Sequence, residues 1–154
     1  MAALFAALFA FGHHLAAFTL VCAIAIEFIL IRDELTIERA RTLLRTDMIG
    51  GVAAGFLLVI GVLRVFIFEK GGAYYFHNAF FIAKMIAFFA VALLTIFPTL
   101  EFLSWRKALR RGQRPFVEPQ KIRRIRSLLH LELIGIVVII FCAALMARGI
   151  GHFA

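Results

Sequence analysis

The chain has 154 residues, 64% of them hydrophobic, and a formal net charge of +8. A mean hydropathy of +0.99 excludes a soluble domain. The positive charge does not point to nucleic acid, because it is gathered in two short segments between apolar runs.

Four apolar runs, roughly 5–30, 47–68, 77–103 and 127–148, each supply the ~20 residues that a helix needs to cross a bilayer. They predict an all-α polytopic membrane protein, one domain over 1–154, folded as a bundle of four transmembrane helices. The first run has no basic n-region, is too long for the apolar part of a signal peptide and ends without a small-residue cleavage site. It therefore reads as a true span.

Arg32, Arg39, Arg41 and Arg45 lie in the first connection. Arg106, Lys107, Arg110, Arg111, Arg114, Lys121, Arg123, Arg124 and Arg126 lie in the third, whereas the second has Lys70 alone. This bias places the first and third connections in the cytoplasm and both termini outside. It also makes the basic loops contact points for anionic lipids. "RDELTIERARTLLR" mixes charge with Leu35, Ile37, Ala40, Leu43 and Leu44, which predicts a short interfacial helix. The third connection contains Gly112, Pro115 and Pro119 and reads as a hinged loop. Tyr74, Tyr75 and Trp105 fall at span ends, where amphipathic rings settle.

Membrane helices approach one another through small residues. On the first span Ala2, Ala6, Ala10, His13, Ala17 and Glu27 share a stripe, with Leu4, Leu8, Phe11, Leu15 and Phe18 opposite and facing lipid. His13 is central on the packed stripe and His14 lies about 100° round at its edge, so one metal ion would take one of them, not both. On the second span Asp47, Gly50, Gly51, Ala54 and Gly61 form the stripe, and Gly51 with Gly55 gives a GxxxG spacing. His77 and Lys84 superimpose on the third. Glu132, Gly135, Cys142, Ala143, Met146 and Gly149 cluster on the fourth, with His130 turned away at headgroup level. Cys22 and Cys142 fall at different depths and read as packing residues rather than a disulfide.

Ionisable residues inside a span cost roughly 2.5–3.5 kcal/mol even on the mildest scale and call for a partner or a task. Toward the outer side they are His13, His14, Arg64, His77 and Lys84. Toward the cytoplasm Glu27, Asp47 and Glu101 lie near enough to the arginine-rich loops to pair there. Glu132 is deeper, at a position where a carboxyl could carry a proton. A neutral histidine on a dry, Phe-rich face suits haem iron, and His13 or His14 with His77 would make a two-histidine site. A hydrogen-bonded structural histidine and a relay or transport role are the other readings of the same residues.

The stretches "FAFGHHLAAF", "IR" at the end of the first span and "FHNAFFIAKMIAFFAVALL" resemble the HemJ-type protoporphyrinogen IX oxidases and the broader CopD-like membrane group. The neighbourhood includes predicted four-helix proteins of the bacterial inner membrane. The resemblance implies a multi-pass inner-membrane haem b redox protein. It would use His13 or His14 and Lys84 as the functional pair. Read from the residues themselves, His13 or His14 would be an axial ligand, Lys84 a second ligand, a propionate partner or a proton donor, with a catalytic role, and Arg64 a partner for an anionic group. A quinone or a porphyrin would be the substrate-level partner, and a homodimer is compatible. The chain departs from the HemJ pattern at "VCAIAIEFILIRDE", and at Phe97-Pro98 where that family carries another histidine. Two other classes remain open: a binding or transport protein for copper or another small solute, and a non-enzymatic subunit or assembly factor.

Overall fold

A computed structural model describes residues 1–68 and 75–153. Lys70 and Tyr74 lie outside the described residues. Helix α1 spans Ala2–Leu30 and α2 spans Ile37–Leu63, continued by a wider π-helical turn over Arg64–Phe68. Helix α3 spans Ala79–Ser104, the short α4 spans Arg106–Arg110 and α5 spans Pro119–Ala147. Four of these are long and apolar enough to cross a membrane, so the chain is a multi-pass, all-α membrane protein.

The predicted interfacial helix of the first connection is not separate. Thr36 caps Arg39 N–H through its hydroxyl, and the helix that starts there runs unbroken through the span. The basic segment before the fourth span behaves likewise, because Pro119 stands in the first turn, where its missing N–H costs nothing. Both helices thus project past the apolar layer and carry their arginines on ordered backbone.

Packing is pairwise. The α1–α2 and α3–α5 pairs make the most extensive contacts, and the pairs join chiefly through α1 with α5 and α2 with α3. Small residues permit the close approaches. A Cβ on Gly50 would stand 3.1 Å from Ala23 Cβ, and one on Gly135 would overlap Val91 Cγ2. By contrast Gly51 and Gly55 meet nothing within 4 Å. The GxxxG spacing therefore does no packing within the chain, and it is Gly50, Ala53 and Asp47 that turn inward. Leu4, Leu8, Phe11, Leu15 and Phe18 are all more than half exposed, which is the expected lipid face.

The apolar core lies at the basic-loop end and includes Ile24, Ile31, Leu43, Phe102, Ile125 and Leu129. Trp105 belongs to it. Only 3% exposed, it packs 4.9 Å from the Phe102 ring, so it is a core residue and not an interfacial ring. Cys142 is buried and Cys22 is exposed, and both are free thiols.

At the opposite end Asn78 ties the carboxy-terminal tail to α3. Its Oδ1 accepts from Phe80 N–H at 3.0 Å and Phe81 N–H at 3.2 Å, while its Nδ2 donates to Ile150 O at 3.0 Å. Gly151, at φ +92°, permits the turn that brings its carbonyl to Ala79 N–H at 2.9 Å. Asn78→Ala removes the cap and takes from the Phe80 amide and the Ile150 carbonyl their side-chain partner, at a cost of ~1–2 kcal/mol. Thermal unfolding in detergent is expected to occur at lower temperature in this variant, with tail amides exchanging faster. An unchanged midpoint would count against the cap as a stabilising element.

Candidate functional site

Polar side chains collect in two layers. The first is at the end of the bundle shared by both termini, and His13 is its centre. The ring is half-buried and turned toward α2, where a Cβ on Gly61 would stand 3.4 Å from its Cε1. Gly61 thus lets α2 lie against the ring at close contact. Arg64, Lys84 and His14 are all within electrostatic reach of the ring. Its Nδ1 is buried and meets no hydrogen-bond partner among the described residues, and the Leu57 backbone is within hydrogen-bonding influence of the ring.

Each neighbour is positioned by its own element. Arg64 lies where α2 changes to the wider π turn, which alters the direction of side chains after Gly61. Lys84 is half-buried on α3, and its Nζ sits 5.2 Å from the centre of the Phe81 ring. That contact stabilises a cation in an apolar setting. Phe81 is held in turn by Tyr75 and Phe76, with ring centres 5.3 and 5.6 Å away.

The other two outer histidines are placed elsewhere. His14 is exposed, and its Nδ1 lies 2.6 Å from Ala10 O, a bond within its own helix. Its ring is nearly perpendicular to that of His13, at 86° and 6.1 Å. His77 precedes α3, is exposed and lies 6.0 Å from the Phe153 ring. The fold therefore gathers His13, Arg64 and Lys84, and leaves His14 on the lipid side and His77 at the bundle's end.

The second layer is nearer the basic loops. Glu27, Asp47 and Glu132 are 4%, 9% and 1% exposed. The pairing expected between the inner carboxylates and the basic loops holds for Glu101, which meets Lys121 Nζ at 3.1 Å and accepts from Trp105 Nε1 at 3.4 Å. For Glu27 and Asp47 it does not hold. They point into the bundle, whereas the arginines extend from its end and find surface partners such as Asp33 and Glu34. Asp47 instead accepts from Thr99 Oγ1 at 2.6 Å. That partner escapes a reading of the sequence, because a threonine within an apolar run gives no sign of which neighbouring helix it meets. His130 is exposed beside the Phe28 ring at 5.8 Å, in keeping with a peripheral role. Among the described residues no three His, Cys, Asp or Glu side chains converge to hold a metal ion.

No curated protein and no solved structure matches the chain. A family model does match, over residues 5–151, and its description is "Predicted membrane protein (DUF2214)". With nearly the whole length covered, the chain belongs to the DUF2214 family of predicted membrane proteins.

Proposed function

We propose that the chain is a haem b-binding redox protein of the bacterial inner membrane, with His13 as the axial ligand. The observation that supports this is the unpartnered, buried Nδ1 of His13 within reach of two cationic side chains. A tetrapyrrole of this kind asks for an imidazole nitrogen and for partners to its two carboxylates, in an otherwise apolar setting. His13, Arg64 and Lys84 match that donor set, with Phe81 as an aromatic wall. Bound there, haem would supply one-electron chemistry at iron. The chain's own residues would hold it: His13 through nitrogen, Arg64 and Lys84 through charge. Lys84 is also placed to give or take a proton at its Nζ, the role that the HemJ-type resemblance suggests for it. A quinone or a porphyrin fits as the exchanging partner.

Protein purified from haem-replete membranes is expected to show a Soret band and a pyridine haemochrome of the b type. A folded but colourless protein would overturn the reading and leave the solute-binding and assembly-factor classes.

Anionic lipid is the partner that the opposite end of the molecule favours. A cleft of about 420 Å³ is lined by Arg41, Arg45, Arg106 and Arg110 over Leu44 and Leu109. Arg41 donates to Leu109 O at 3.3 Å, and none of the four arginines pairs with a described carboxylate. Four like charges on an apolar floor at the edge of a span suit a phosphodiester headgroup. Arg41→Gln with Arg106→Gln is expected to reduce phosphatidylglycerol retained in native mass spectra by severalfold. Equal retention would remove the cleft as its site.

A further inference from the structure

Glu27, Asp47 and Glu132 come from three different helices and are buried together where the bundle is driest. Each lies within electrostatic reach of at least one of the others, and no described cationic side chain acts on any of them. The groups around them can be named helix by helix. α1 contributes Glu27, α2 contributes Asp47, and α5 contributes Glu132. α3 contributes the Thr99 hydroxyl, with Glu101 beyond it already neutralised by Lys121. The close approach of Ala23 and Gly50, one turn from Glu27 and Asp47, sets the separation of the first two. Glu132 Oε1 is buried without a hydrogen-bond partner among the described residues.

Three uncompensated carboxylates in such a place would each carry a heavy desolvation cost. An ion of opposite charge must therefore accompany them. Because no three described ligands converge as a metal ion requires, a proton is the ion that fits. We infer that Glu27, Asp47 and Glu132 form an exchangeable proton site inside the bundle, with Glu132 as its carrying member and Thr99 positioning Asp47. In exchange the Glu132 acid loses its proton from a carboxyl oxygen, and a carboxylate oxygen of Glu27 or Asp47 gains it; no electron moves. Thr99 keeps one Asp47 oxygen occupied and so directs exchange to the other. The site does not depend on His13 binding haem.

The test uses the full chain in lipid nanodiscs. A hydrophobic carbodiimide reacts with carboxylic acids in apolar surroundings, and peptide mass spectrometry locates the adduct. Labelling at Glu132 near neutral pH, fading in alkali and indifferent to sodium, is expected. Asp47→Asn should lower Glu132 labelling at that pH by about threefold, since a like charge has been removed. Thr99→Val, which keeps the shape of the side chain, should alter labelling at Asp47 while leaving the thermal midpoint close to wild type. In the unmodified protein, infrared spectra should show a carboxylic C=O band that shifts in deuterium oxide and weakens in Glu132→Gln. Absence of both adduct and band would overturn the site. So would protection by sodium at constant pH, which would assign the cluster to a metal cation, or labelling of Glu132 unmoved by Asp47→Asn.

Discussion

Gly135→Leu is expected to unseat α5 from α3 and to destabilise the bundle severely. Even a Cβ at position 135 would overlap Val91 Cγ2, and Val91 is itself 6% exposed with nowhere to retreat. Lipid is as apolar as the side chains, so helix pairs in a bilayer depend on close packing rather than on escape from water. Overfilling a packed contact costs ~1–3 kcal/mol, and a leucine here adds branches to a position that lacks room for one methyl. Gly135→Ala should be milder, and Val91→Ala should restore much of the loss, a coupling that a double-mutant cycle measures. Unfolding in mixed micelles supplies the values. A Gly135→Leu protein as stable as wild type would contradict the α3–α5 contact.

The adjacent histidines should respond very differently to removal. His13→Ala is expected to reduce haem recovered per protein at least about tenfold, and His14→Ala to leave it within about twofold, because only an inward imidazole can serve as the ligand. His14 is exposed on the lipid side, whereas the His13 ring is half-buried and within reach of Arg64 and Lys84. Lys84→Met should lie between the two, weakening retention without abolishing the band. Size-exclusion profiles and far-ultraviolet spectra check that each variant stays folded. Loss confined to His14→Ala would move the ligand to the lipid-side ring. Equal loss in both variants would remove the distinction on which the His13 assignment rests.

Part of the site is legible in the residue order alone. The stripe through Ala6, Ala10, His13 and Ala17 has a lipid face opposite it, and helical spacing is enough to fix that opposition. It also fixes that His13 and His14 cannot aim at one point. Which of the two faces inward depends on how α1 is rotated against α2, and in the fold the His13 ring meets α2 at Gly61. Helical spacing is blind to such rotation, because a partner helix can seat against any part of a broad small-residue stripe. The misplaced GxxxG has the same cause: Gly50 and Gly51 are neighbours in sequence, but only Gly50 meets Ala23.

The sequence by itself determined that the chain crosses a membrane, which runs do so and which faces meet lipid, since those follow from transfer energies and periodicity summed over many residues. Only the tertiary structure decided the pairings of individual polar groups. Arg39, between Glu27 and Asp47 in sequence, leads away to Asp33 at the surface, while Thr99, 52 positions from Asp47, supplies its hydrogen bond. Trp105, at a span end, is drawn into the core by Phe102. A polar contact spans about 3 Å and is settled by helix rotation and depth to within that distance, a precision that no pattern along the chain carries.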